Sequence, residues 1–359
     1  MSEKLMLFVG SYAESTDPGI YMYELDLATG EMKCLDSASG LKNPTFVTVD
    51  KQGKKLYAIA ETKNENEERI GEVVSYSIDP MLGKLTELNR GFTIQPSSSH
   101  IQIDHSSSYL AVSGYHGGNV GLVKIAADGT VGRLSDVQQH TGHGADPERQ
   151  DRPHPHSVQF SPNNRFALVA DLGLDRIKVY ELDQAQDKLV YRSEAVMQPA
   201  SGPRHMAFHP NGKWLYSINE VGSSLTAFNF DAESGSLTEL ETLSTLPADF
   251  EGENTTAEVA ISQDGRFLYG SNRGHDSIVQ FAIDAETGKL TLVEFVSSEG
   301  GHPRHFAITP DGEHLLAANR DSNNLVLFRI DRSSGKLSFT GHTAEVSKPV
   351  CVKPSAFDH

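Results

Sequence analysis

Short apolar runs alternate with polar turns along the whole chain. FALVA at Phe166–Ala170 is followed by a turn and then by IKVYEL, and LLAAN from Leu315 is followed by DSNN and then by LVLFRI. No window holds an apolar period of 3.6 residues over the length of a helix, so the pattern predicts strands joined by turns. Asn-Gly and Asp-Gly pairs such as Asn211-Gly212 and Asp311-Gly312 lie between apolar runs. They are strong local signals for hairpins. Several strands are apolar at consecutive positions, which predicts sheets covered on both faces.

The pattern repeats. SPNNRFALVADLGLDRIKVYELD from Ser161, HPNGKWLYSINEVGSSLTAFNFD from His209, SQDGRFLYGSNRGHDSIVQFAID from Ser262 and TPDGEHLLAANRDSNNLVLFRID from Thr309 align without gaps. Looser copies start at Asp50 and Asp104, and a partial copy opens the chain. The seven copies end at Asp26, Asp79, Ala126, Asp183, Asp231, Asp284 and Asp331, which are 47 to 57 residues apart. A period of this length, with four short antiparallel strands per copy, predicts β-propeller blades. The first copy lacks an innermost strand. KPVCVKPS from Lys348 resembles NPTFVTVD from Asn43, so the C-terminal segment can supply it. The expected fold is an all-β, seven-bladed β-propeller, one domain over residues 1–359, its ring closed by the C-terminal strand joining the N-terminal blade.

Composition narrows the class. The 359 residues carry 31 Lys+Arg against 48 Asp+Glu, a formal net charge of -17, which disfavours nucleic acid and anionic membrane surfaces as partners. The two cysteines, Cys34 and Cys351, are too few for a disulfide framework or a four-thiolate zinc site. The N-terminal apolar run is too short for a signal peptide and no stretch approaches a membrane span, so a cytoplasmic location is expected.

Equivalent positions can be compared by taking the turn residue of each copy (Gly53, Ser107, Asn164, Gly212, Gly265, Gly312) as zero. Eight residues earlier lie Thr45, Ser99, His156, Arg204, Ala257 and Arg304, and seven earlier lie Phe46, His100, Ser157, His205, Glu258 and His305. Eight later lie Glu61, Tyr115, Leu172, Glu220, Arg273 and Arg320. The start of each first strand and the end of each second strand meet at one end of the ring, so these side chains are expected to crowd the axial mouth. Arginines there suit a carboxylate or phosphate, bound in a fork. The competing reading is that they pair with the glutamates and staple blades, with Arg304 and Arg320 the best-placed staples. The irregular segment from Gly142 gathers His140, His143, His154 and His156. It has no accompanying cysteine and no HExxH helix, so no metal is assigned. The charged insertion from Glu61 reads as a solvated loop. Trp214, Phe267 and Leu315 read as packing. Nucleophile-elbow, Walker, dinucleotide and WD signatures are missing from the sequence.

PHPHSV, GPRHMAFHPNGKWLYSINE, TAEVAISQDGRFLYGSNRGHDSI and PRHFAITPDGEHLLAANRDSNNLVLFRID together resemble the propeller-type lactonase family, over essentially the whole chain. That family holds 6-phosphogluconolactonases and the related carboxy-muconate lactonising enzyme. The resemblance implies hydrolysis of 6-phospho-glucono-1,5-lactone in the pentose phosphate pathway, without a cofactor. It implies His156, Arg204, Glu220 and Arg273 as catalytic residues, with either histidine of PHPH as the active one. His154, His205, Glu258 and Arg304 are candidates for binding the substrate, a small anionic lactone. Glu220 or His156 is expected to accept the proton of the attacking water. A muconate-type dicarboxylate, or a non-catalytic role in binding a metabolite or partner, are the alternative functions.

Overall fold

The computed structural model describes residues 4–356. It contains 28 strands in seven sheets, each of four antiparallel strands, arranged as blades around an axis. Within blades two to seven the strands follow chain order from the axis outward. In the second blade these are Val47–Val49, Lys55–Lys63, Arg69–Asp79 and Lys84–Phe92. The innermost strands of the later blades are His100–Ile103, Pro155–Phe160, Pro203–Phe208, Thr255–Ile261 and Pro303–Ile308.

The first blade differs as expected. Its innermost strand is Pro349–Ser355, which pairs antiparallel with Lys4–Ser11 through partners such as Val9 with Val352 and Phe8 with Lys353. Leu5, Leu7 and Val9 pack with Leu316, Ala318, Leu325 and Leu327 of the last blade and with Val352. Their neighbours Met6 and Phe8 turn to the second blade. Closure therefore rests on a strand ladder and on apolar packing together.

The same alternation operates in every blade. In Phe166–Asp171 all six residues are buried. Ala167 and Val169 face the preceding blade, beside Tyr109, Val120 and Leu122. Phe166, Leu168 and Ala170 face the next one, beside Leu215 and Phe228. A period-two strand thus feeds two different cores. Outermost strands alternate exposed and partly buried positions instead, as in Lys84–Phe92. The tight turn between first and second strands needs a left-handed residue. Gly212, Gly265 and Gly312 occupy it with φ of 71°, 75° and 73°, and Asn164 occupies it at 58°. A hydrogen bond links successive blades at the outer end of several second strands: the hydroxyls of Tyr57, Tyr216 and Tyr269 donate to the carbonyls of Gly129, Gly288 and Gly335.

Deleting the chain from Lys348 onward removes Val350, Cys351 and Val352 from the core and leaves Lys4–Ser11 as a bare edge. Each buried aliphatic side chain contributes about 1.5–3 kcal/mol, and a long apolar edge pairs with other chains. The truncated protein is expected to melt several degrees lower and to elute as aggregate in size-exclusion chromatography.

Candidate active site

Four innermost strands share one irregularity near their start. The pairing of first with second strand skips a residue between Pro155 and Ser157, between Pro203 and His205 and between Pro303 and His305, and shifts between Thr256 and Val259. A bulge adds a residue to one strand and re-aims its side chain. His156, Arg204 and Arg304 are the added residues in the first three. Two consecutive residues per strand therefore reach the axis, at different depths. A strictly alternating strand cannot do this.

The upper level opens into a cavity of about 320 Å³ whose lining includes Thr45, Ser99, His156, Arg204 and Arg304, with Glu61, Tyr115 and Glu220 from the ends of second strands. The lower level holds Phe46, His100, His205, Glu258 and His305, which line a second chamber of about 430 Å³ on the axis. Only Phe46 and His205 border both. The sequence comparison merged these two levels. Glu258 and His305 lie beneath the mouth rather than in it. Arg273 lines a groove beside the mouth, and Leu172 is buried away from it.

Glu220 organises the upper level. Its Oε2 lies 2.9 Å from Arg204 Nε and 2.8 Å from Arg273 Nη2, and its Oε1 lies 2.5 Å from Arg149 Nη2. Arg204 also donates from Nη1 to the Ala257 carbonyl at 2.6 Å, and Arg273 from Nη2 to the Thr256 carbonyl at 2.5 Å. Burial pushes the Glu220 carboxyl up, but Arg273, Arg204 and Arg149 outweigh it and hold the group far below the usual carboxylate range. Burial, followed by repulsion from Arg273 and Arg304, pushes the Arg204 guanidinium down to about 9, so it stays charged at neutral pH.

The staples are therefore Arg204, Arg273 and Arg149, not Arg304 and Arg320. Arg320 pairs with its own neighbour, Asp321, at 2.6 Å. Among the described residues Arg304 has no acidic partner; its guanidinium lies over the Tyr12 ring, 5.6 Å from the centroid. Four guanidinium groups surround a single carboxylate at this spot, on a chain of net charge -17.

Of the two histidines of PHPH, His156 faces the mouth. Its Nδ1 is buried with no partner, which leaves Nε2 as the mouth-facing nitrogen. His154 stacks on Tyr115 at 4.3 Å, donates from Nδ1 to the Tyr115 carbonyl at 2.7 Å and sets Nε2 3.3 Å from Asp151. Both its nitrogens are engaged, so it buttresses a mouth residue without reaching the mouth. The four histidines around the irregular segment go to different places: His140 is buried against Asp171 at 2.6 Å, and His143 is at the surface.

Arg149 is the site residue that the sequence comparison missed. It lies in the connection between the third and fourth blades, outside the repeat. Gln150, fully buried, fixes that loop by donating to the Leu172 carbonyl and Asp175 and by accepting from the amides of Ala145 and Asp146. An arginine in the longest blade-to-blade connection was the available signal.

A seven-bladed ring with a small, arginine-walled mouth of this kind defines a propeller that takes up a small anionic molecule, as distinct from one that docks proteins over a broad face. Residues 6–354 match the family described as lactonase, 7-bladed β-propeller, and the chain belongs to that family. It is 35% identical over 350 residues to a 6-phosphogluconolactonase of Bacillus subtilis, covering 98% of each chain, and 34% identical over 307 residues to one of Formosa agariphila, covering 84% of this chain and 85% of the relative. Among solved structures it is similar to a periplasmic gluconolactonase of Pseudomonas aeruginosa, with TM-score 0.92, 32% identity and coverage of 99% and 100%. Lactone hydrolysis is the reaction class that this membership supports.

Burial first, then nearby cations, pushes His100, His156 and His205 well below 6.5; burial does the same to His305 against the pull of Glu258. All four are neutral in the fold, whereas in the unfolded chain they take up protons as pH falls below 6.5. Stability is thus fully present above that pH and declines beneath it, by up to about 1.4 kcal/mol per pH unit for each histidine. Melting temperature measured between pH 8 and pH 5 is expected to fall in this window, above the range in which ordinary carboxylates titrate, and His100→Asn is expected to flatten the fall.

Proposed function

We propose that the protein hydrolyses 6-phospho-glucono-1,5-lactone to 6-phosphogluconate, a step of the pentose phosphate pathway, in the arginine-walled mouth. The observation that carries this reading is the excess of guanidinium over carboxylate there. Three arginines are committed to Glu220, and Arg304 alone has no acid opposite it, which suits it to a phosphate. Arg204 is then the group nearest the lactone carbonyl, stabilising the oxyanion that forms when water attacks. His156, neutral and with Nε2 toward the cavity, takes the water's proton and returns a proton to the departing ring oxygen. Glu220, held as a carboxylate by three cations, is a poor base. Its role is to fix the positions of Arg204 and Arg273. The solved gluconolactonase of similar fold supports a second reading, in which the lactone carries no phosphate.

Initial rates on the phosphorylated and unphosphorylated gluconolactones, corrected for spontaneous hydrolysis, decide between them. Arg304→Lys keeps the charge and loses the fork. It is expected to raise KM for the phosphorylated lactone about tenfold and to leave the unphosphorylated one within about twofold. Equal effects on both would remove Arg304 from phosphate recognition.

His156→Asn is expected to lower kcat roughly 100-fold, the scale for losing a general base. Glu220→Gln is expected to act through KM and to lower the melting temperature, because it leaves three guanidinium groups without their anion. A Glu220→Gln enzyme that loses kcat 100-fold at unchanged KM would instead make Glu220 the base.

A further inference from the structure

Beneath His156 lies a second imidazole that the mouth chemistry described so far does not use. His205 Nδ1 is 2.9 Å from Glu258 Oε2, and the same oxygen is 3.1 Å from His305 Nε2. His305 Nδ1 accepts from the Val352 amide at 3.4 Å, so its Nε2 carries the proton and donates to Glu258. A carboxylate only accepts, so His205 also donates, from Nδ1. Its Nε2 is therefore a bare lone pair, and that nitrogen is buried with no partner.

The ring beside it is His156, 5.2 Å away between centroids and tilted by 65°. For His156 to accept a proton at Nε2, its Nδ1 must carry the hydrogen. Nδ1 is also buried without a partner. Two touching imidazoles thus each have one unused inner nitrogen, one a donor and the other an acceptor. Phe46 covers the far side of His205, with ring centroids 5.8 Å apart. The Glu258 side chain, 11% exposed, borders the chamber on the opposite side of that wall.

We propose that His205 and Glu258 form a proton relay that leads from His156 to the second axial chamber, so that protons leave by the face opposite the one through which substrate enters. His205 and Glu258 are positioning residues on this account, since they act through His156. The inference rests on the lactone reading for its source of protons. Hydrolysis converts a neutral ester and a water into an alcohol, a carboxylate and one proton. His156 takes a proton from water and gives one to the alkoxide; the carboxylic acid formed then ionises, and its proton returns to His156 Nε2. His156 Nδ1–H passes to His205 Nε2, His205 Nδ1–H passes to Glu258 Oε2, and Glu258 releases to water of the lower chamber. No electrons move and every group returns to its starting form once the two rings turn their tautomers back.

The charges around the relay favour this direction. Arg204, Lys353 and Arg304 all disfavour a cation on His205, and Glu220 only partly offsets them. His100, on the neighbouring strand, is itself held neutral by burial. Glu258 is the one anion in direct contact, and it can take the proton without creating a second positive charge in the wall.

Glu258→Gln preserves shape and one acceptor but cannot be protonated and released. It is expected to lower kcat about tenfold with KM unchanged, and added imidazole buffer, absent any effect on the parent, is expected to restore most of the loss. A parent-like kcat, or a loss that imidazole leaves untouched, would overturn the relay. A second measurement needs neither the variant nor a substrate: nitrogen-15 histidine spectra of the parent report each tautomer. His205 protonated at Nδ1 is the expected form. His205 protonated at Nε2 overturns the proposal even if Glu258→Gln fails to fold or the parent turns over no lactone, the latter being the failure of the lactone reading alone.

Discussion

The middle strands of each blade are buried on both faces, and everything else follows from that. A sheet such as the one holding Phe166–Asp171 has no wetted side. It is stable only between two others, and a row of such sheets has two ends that nothing covers. Joining Pro349–Ser355 to Lys4–Ser11 removes both ends at once. Closure also forces the seven innermost strands to converge, which creates a narrow axial passage in which side chains from strands far apart in sequence come within a few ångströms of one another.

That convergence would ordinarily produce a neutral plug. Here the bulges at His156, Arg204 and Arg304 supply an extra inward residue on three neighbouring strands. The extra layer carries cations, and the layer beneath carries imidazoles and Phe46. Burying several arginines together is costly unless an anion is among them. Glu220 meets that need from a second strand, reaching one arginine in its own blade, one in the next and one in the loop before the fourth blade. The clamp therefore couples the mouth's geometry to the docking of three segments.

Much of this was legible in the sequence. The repeat gave the blade count, the matching of the two ends gave the closure, and counting from the turn glycine brought His156, Arg204, Glu220 and Arg273 to one end of the ring. What the count could not resolve was depth. Period-two reasoning has no term for a bulge, so residues such as Arg304 and His305 were expected side by side, whereas one lines the mouth and the other the chamber beneath. Partner choice was hidden for a related reason. Which arginine meets Glu220 depends on how blades lie against each other, and Arg304, though at an equivalent position to Arg204, is turned to Tyr12. Arg149 was out of reach because it belongs to a connection that has no counterpart in the other copies.

The distribution of charge around the mouth has a consequence for ligands. The fourth to seventh blades and the loop before them supply the cations and imidazoles. The first three supply mainly hydroxyls, from Tyr12, Thr45, Ser99 and Tyr115, and their one mouth acid, Glu61, is paired with Arg69 at 3.2 Å. A ring of near-equal units has thereby acquired a polar axis across its opening, perpendicular to the axis of the fold. A guest with one charged end has a single favoured way round. The half-circle that holds the charge and the half-circle that meets the uncharged remainder are encoded in separate stretches of the chain, so the second can drift toward new guests while the first keeps its grip.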